Sequence, residues 1–246
     1  MLWAHFKTIF SFRIYHRLAA ATRAQTVWFA VYLFFLSLIV FHFAAGDKIK
    51  ENLPVFLKNF PVVTFEKGVL TAPQQEVRAE IPQSGFFITF DAQRKTPPTL
   101  AEMTEKQQLM LISQNKLYMP SSAGVQSRDI PPSVSFSATP EFLAKKQADI
   151  AAALKVVAFL TACLLIPLMM LFGFCTAAAA GFFFKILTRA NVPNAVICKW
   201  AVFLLGPLAA LWYVRMWFYI PLFTLAQVIL CIIYVQQIFN TLPEDR

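Results

Sequence analysis

The residues able to do chemistry are few, and their placement is restrictive. The histidines are His5, His16 and His42, and the cysteines are Cys163, Cys175, Cys198 and Cys231. Residues 46–150, the one long stretch of ordinary polar composition, contain neither type. A Ser-His-Asp arrangement is therefore excluded there, as is a His/Cys metal site. All four cysteines lie in apolar segments and none is in a CxxC pair, so they read as small buried apolar residues rather than zinc thiolates or disulfide partners. Glu66, Glu76, Glu80 and Asp91 are the carboxylates that could converge for acid/base work. Their spacing favours solvated strand faces instead. The seven glycines are isolated, which leaves no phosphate-cradling loop. The expectation is a non-enzymatic protein with no catalytic residue, metal or cofactor.

Polar groups inside apolar segments are the next place to look, because carriers put ionisable groups at mid-membrane. The long apolar segments hold no Asp or Glu. Lys155 and Lys199 lie near segment ends, and Lys199 is placed to snorkel outward. Gln227 is the strongly polar side chain nearest the middle of one segment. A lone Gln more often bonds a neighbouring helix than lines a pathway. Gly173, Gly181 and Gly206, in "LFGFCTAAAAG" and "GPLAA", suit close helix packing, within the chain or against another membrane protein or a second copy.

These groups must be held by an unusually apolar chain. Of 246 residues, 58% are hydrophobic and 14% charged, against roughly 45–50% and 25% in soluble domains. The excess lies in 26–45 and 151–240. The net charge of +9 is equally uneven. Residues 1–25 carry Lys7, Arg13, Arg17 and Arg23 and no acid, whereas 46–150 carry 12 basic and 11 acidic side chains. The basic groups flank apolar segments and include Lys185 and Arg189, which suits anionic lipid headgroups rather than nucleic acid. The polar stretch has no basic cluster with interleaved aromatics and no Trp.

Four membrane spans are expected. Residues 26–45 are an uncharged run just long enough for a hydrocarbon core of roughly 30 Å. A signal peptide is the alternative, but the run is longer and begins later than one. Residues 151–190 hold the second span with a cytoplasmic extension; the alternative is a re-entrant Ala-rich segment. Gly173 and Gly181 are break points and Pro167 a kink point. Asn191-Val-Pro-Asn194 reads as a turn. Residues 195–214 and 217–240 form the third and fourth spans, joined tightly near Arg215. Trp200, Trp212, Tyr213, Trp217 and Tyr219 are placed as an aromatic belt. The basic flanks put both termini in the cytoplasm of a bacterial plasma membrane and 46–150 outside. Residues 1–25, with Trp3, Phe6, Phe10 and Ile14 at helical spacing, read as a basic amphipathic helix in the interface, or as a simple extension of the first span.

The stretch 46–150 is long enough for one small domain. Residues 47–60 have helical spacing and continue off the first span. Strands are expected at 62–65, 69–71, 77–81, 86–90, 109–113, 116–119 and 134–137. Glu66-Lys67-Gly68 forms a three-residue connection with Gly68 at a positive φ, and Gln114-Asn115 a second tight turn. Residues 96–107 read as a loop with one helical turn, and 140–149 start the helix of the second span. The fold class is an α-helical integral membrane protein of four transmembrane helices, with a small extracytoplasmic β-rich α+β domain between spans one and two.

The order "FKTIFSFRIYHRL", span, "LPVFLKNFPVVTFEKGVL", "GFFITFDAQ", "LISQNKLYM" and three further spans resembles the bacterial maltodextrin-utilisation-protein-like membrane family, domain of unknown function 1189, over nearly the whole chain. The resemblance implies a four-span envelope protein, associated by name with sugar uptake, and brings no catalytic residues. Function is read accordingly as an accessory, scaffold or sensing protein of an envelope system, bound to an anionic bilayer and to another membrane protein or a second copy. The alternatives are lipid or small apolar ligand handling, and a small oligomeric channel or carrier around Gln227.

Overall fold

The computed structural model describes residues 2–218 and 222–242, with side chains from residue 6 onward. The chain divides into two compact units, one built from Met1–Gly46 and Lys155–Arg246 and the other from Asp47–Leu154. The two longest helices, α3 (Arg23–Lys58) and α5 (Pro140–Thr188), contribute residues to both.

The helical unit contains α1 (Leu2–Phe10), α2 (Ile14–Ala19), the start of α3, most of α5, α6 (Asn194–Trp217) and α7 (Phe223–Asn240). Four helices, α3, α5, α6 and α7, are long and apolar enough to cross a membrane. The wall of α3 and α5 is largely unburied within the chain, with Phe35, Leu160 and Leu164 more than half exposed. The core lies instead around α6, whose Trp200, Phe203, Leu204 and Leu208 are buried with Phe29 and Leu33 of α3 and Val235 and Ile238 of α7. Helix α5 runs unbroken through Pro167, Gly173 and Gly181, so the expected break points are not breaks, and 175–188 is a helical continuation rather than a re-entrant turn. The reason is packing. A Cβ at Gly181 would stand 2.5 Å from Cγ2 of Ile197, and one at Gly173 would stand 3.1 Å from Cδ2 of Leu205. The glycines let α6 approach, and they do so from within the helix. Helix α6 runs on past Val214 to Trp217 and α7 starts at Phe223, so Trp217 belongs to the third candidate span rather than opening the fourth.

The second unit carries two sheets. One has the order β2-β1-β8, from β1 (Val63–Glu66), β2 (Val69–Ala72) and β8 (Phe136–Ala138). The other has the order β3-β4-β5-β6-β7, from β3 (Val77–Glu80), β4 (Phe87–Phe90), β5 (Gln108–Ser113), β6 (Lys116–Ser121) and β7 (Gly124–Asp129). Strands β4 and β5 are parallel, so a crossover must join them, and α4 (Leu100–Glu105) supplies it. The first hairpin is tighter than expected. Glu66 pairs with Val69, leaving Lys67-Gly68 as a two-residue turn. Both have positive φ, 49° and 78°, as a type I′ turn requires. Gly68 is fixed a second time, because a Cβ there would meet the carbonyl oxygens of Pro131 at 2.7 Å and Ile130 at 2.8 Å.

Strand β7 was not expected. "GVQSRD" has one large apolar residue and no alternation, so its pairing with β6 rather than its pattern makes it a strand. Its marker is Gly124, at φ 120° beside the Ser122-Ala123 turn. The core of this unit joins Val63, Phe65 and Leu70 of the small sheet to Ala79 and Phe90 of the large one, closed by Leu53 and Leu57 of α3 and Leu143 of α5. Each such Leu or Phe contributes about 1.5–3 kcal/mol by leaving water.

Candidate functional site

The N-terminal stretch is two helices rather than one, and it is docked onto protein. Tyr15, which belongs to none of the periodic positions read from the sequence, is fully buried and its hydroxyl donates to the carbonyl of Thr8 at 3.2 Å. Nε1 of Trp200 donates to the carbonyl of Tyr15 at 2.7 Å, and Nζ of Lys199 to that of Ala19 at 3.0 Å. The Tyr234 hydroxyl donates to the Ile9 carbonyl. Nε2 of His16 lies 2.8 Å from Oγ1 of Thr241. Two expectations are corrected: Trp200 is a buried anchor, not a belt residue, and Lys199 turns to the carbonyl end of α2 rather than outward. Both side chains meet α2, at different turns. Lys199 supplies a donor to the Ala19 carbonyl, one of the last of α2 and without an intrahelical partner, while Trp200 adds a second donor to a carbonyl in the first turn of the same helix. Phe6 and Phe10 remain more than half exposed, with ring centroids 4.9 Å apart, so the docked stretch still has an apolar edge. The side chains of Trp3 and His5, and all of Tyr219, lie outside the described residues.

The basic residues expected at a membrane surface are distributed around this end. Lys7, Arg13, Arg17, Arg23 and Arg189 are exposed, while half-buried Lys185 donates to Oδ1 of Asn194 at 2.7 Å. Arg215, at the other end of α6, lies 4.3 Å from the ring centroid of Phe223. Trp217 is about half exposed, whereas Trp212 and Tyr213 are half-buried.

Gln227 borders a small cavity of about 40 Å³ together with Ser37, Gly173, Leu208 and Trp212. Its amide has no hydrogen-bond partner among the described residues. The expected interhelical bond is made next to it instead, where Oγ of Ser37 meets the Tyr213 hydroxyl at 2.9 Å. Ser37 is 2% exposed, and as a lone hydroxyl in an apolar run it gave no sequence signal. Of the three packing glycines, Gly173 and Gly181 make the close approaches described above, and Gly206 is buried inside α6.

A larger groove of about 540 Å³ lies between α3 and α5 within the helical unit. Phe35, Ile39 and Phe43 form one wall and Val156 and Phe159 the other, with His42 and Lys155 toward one end. Leu38, at its floor, packs on Ala162 and Ile166. The sequence placed Lys155 near a span end but did not reveal that α3 brings His42 beside it.

In the β-rich unit the four carboxylates singled out from the sequence are engaged separately. Glu76 pairs with Arg78 at 2.7 Å, Oδ1 of Asp91 accepts from the backbone of Gln93 and Arg94, and Glu66 and Glu80 are exposed. The concentrated charge sits elsewhere. Arg94 holds Glu102 through two bonds of 2.7 and 2.6 Å, and Lys106 adds a third at 3.0 Å. The Arg94 guanidinium, with help from Lys106, holds the Glu102 carboxyl at about 2. Thr99 caps α4 by accepting from the Glu102 amide, so this acid ties the crossover helix to the Arg94 loop. The pattern Thr99-x-x-Glu102 carries this cap as a signal in the sequence. Among the described residues no three His, Cys, Asp or Glu side chains gather as metal ligands.

The architecture defines a class: a chain with four helices able to cross a membrane and a two-sheet unit inserted between the first and second of them. Within that class, the chain belongs to the family described as protein of unknown function DUF1189, whose profile matches residues 4–239. No curated protein and no solved structure matches the chain.

Proposed function

We propose that the chain is a non-enzymatic, multi-pass accessory protein of the bacterial plasma membrane. Its β-rich unit is a docking or sensing domain held outside, and both termini are cytoplasmic. The observation that carries this reading is the mounting of the β-rich unit. Its core is closed by Leu53 and Leu57 from α3 and Leu143 from α5, so both sheets pack on helices that continue as candidate spans. Within this unit the two sheets and the helix segments 47–58 and 140–154 share one core, so its own faces keep a fixed arrangement. The faces it offers include edge strands. β7 lies at one end of the large sheet, and its residues 126–129 are exposed. An unpaired edge of this kind can accept a strand from a partner.

The system served is an envelope transporter, a link drawn from the maltodextrin-utilisation resemblance alone. The orientation rests on the acid-free basic stretch that holds Lys7, Arg13, Arg17 and Arg23. Affinity capture of the full chain in native membrane discs, with mass spectrometry of proteins and lipids, tests the role. A transporter subunit enriched with the wild type, and lost when Ser127 and Asp129, whose backbone faces away from β6, are both changed to Pro to block the β7 edge, supports it. Capture of lipid alone overturns it.

A further inference from the structure

The α3–α5 groove has no assigned role in the accessory reading, and its chemistry is specific enough to name an occupant. Its volume, about 540 Å³, falls in the range of roughly 300–1,000 Å³ typical of small-ligand clefts. Its walls are apolar along most of their length. Phe35, Ile39 and Phe43 are each more than half exposed, and Val156 is 58% exposed. These side chains are arranged on either side of a trough rather than packed on each other.

The polar end is as informative as the walls. His42 lies three residues before the end of the apolar run 26–45, and Lys155 four residues after the start of the run that begins at 151. Both therefore fall at headgroup depth at the same end of the two helices, while Phe35, Ile39 and Phe159 lie deeper along them. Neither His42 nor Lys155 has a hydrogen bond or ion pair among the described residues. The helical unit contains no Asp or Glu among its described residues, so it holds no internal counter-ion for Lys155. The nearest acids along the two helices are Asp47 and Asp149, and the latter takes Lys146 at 2.9 Å. An ammonium left half-buried beside an apolar trough is stabilised by an anion from outside.

We propose that this groove binds one phospholipid with an anionic headgroup, its phosphate at Lys155 and His42 and an acyl chain between Phe35, Ile39 and Phe159. The inference stands apart from the accessory role, since it uses only the helical unit. A second copy of the chain is the competing occupant, and it is disfavoured by charge. The described residues of a copy's helical unit hold no acid to set against Lys155, whereas an anionic lipid neutralises it.

Photo-crosslinking of the full-length protein tests this. A benzophenone amino acid is placed at Phe159, inside the groove, and in a second protein at Leu164, which is 67% exposed and outside it. Each is reconstituted in vesicles of phosphatidylcholine mixed with phosphatidylglycerol, and the adducts are weighed by mass spectrometry. The expected result is an excess of phosphatidylglycerol adducts at 159 over 164 of about fivefold, the effect of one basic residue at a membrane surface. Lys155→Gln removes the excess and Lys155→Arg keeps it. Ile39→Trp, which fills the trough from an exposed position, lowers adducts of both lipids at 159 without touching those at 164. That second variant keeps the test decisive if the Lys155 variants fold poorly. Equal ratios at 159 and 164, an excess indifferent to Lys155→Gln, or adducts at 159 with a second copy of the chain would each overturn the proposal.

Discussion

The two units of this protein satisfy their polar groups by opposite means. In the helical unit, buried polar side chains turn to backbone carbonyls or to one another: Trp200 to Tyr15, Tyr234 to Ile9, and Ser37 to Tyr213. No carboxylate takes part, because none of its described residues is acidic. In the β-rich unit the central polar feature is ionic, with Arg94 and Lys106 converging on Glu102. The difference fits the setting proposed for each unit, hydrocarbon for one and water for the other. A carboxylate in hydrocarbon costs several kcal/mol, while a hydroxyl or indole N–H bonded to a carbonyl is tolerated. At a water-facing loop the same ion pair is cheap to solvate and geometrically selective. One unit should therefore respond to pH near a carboxylate value and the other to helix-packing changes.

The contrast breaks most sharply at two glycines. Gly68→Ala forces a side chain into positive φ and against the Pro131 carbonyl, and should cost about 2–4 kcal/mol. Hydrogen exchange should show this as lost protection in β1, β2 and β8, with α6 and α7 unchanged. Gly181→Ala is the mirror experiment. Its Cβ meets Ile197, so the helical unit should lose about 1–3 kcal/mol, recovered in part by Ile197→Ala, with the sheets unaffected.

Trp200→Phe tests the carbonyl bonds. It keeps an aromatic ring in the core but removes the indole N–H that the buried Tyr15 carbonyl accepts, at about 1–2 kcal/mol. The reading is faster proteolysis of residues 2–19, which this bond ties to α6. The smallest effect is the pH response. Glu102 sits at about 2 in the folded unit against an ordinary 4.5. A depressed carboxyl stabilises above its unfolded value, so the contribution is complete above about pH 4.5. It fades as pH falls toward 2. With a side chain 26% exposed the pair is screened, and about 1–2 kcal/mol is the expected size. Denaturant melts of the β-rich unit should lose stability between pH 5 and about pH 2 in the wild type, and Glu102→Gln should flatten that slope.

Much of the β-rich unit was legible because its turns carry their own chemistry. Gly68 and Gln114-Asn115 mark two hairpins, and the short apolar runs 86–90 and 109–113 mark strands between them. β7 escaped because "GVQSRD" is a strand only through its neighbour. The helices were readable from their apolar runs, but their partners were not. Tyr15 lies off the periodic face, Ser37 is silent in an apolar run, and the glycines of α5 read equally as hinges or as contacts. Lys155 was visible as a stray charge. Only the antiparallel run of α3 beside it turned that charge into one end of a groove. Long-range pairing is what a single sequence states least directly.

In the proposed topology the helical unit lies in the bilayer and the β-rich unit in water outside. Single cysteines at Ser122, on the β6–β7 turn, and at Asn191, between α5 and α6, can be placed in a chain whose four native cysteines are replaced. Both positions are exposed. With a membrane-impermeant thiol reagent on intact cells, labelling is expected at 122, and at 191 only after permeabilisation. Labelling at 191 in intact cells with protection at 122 would contradict it.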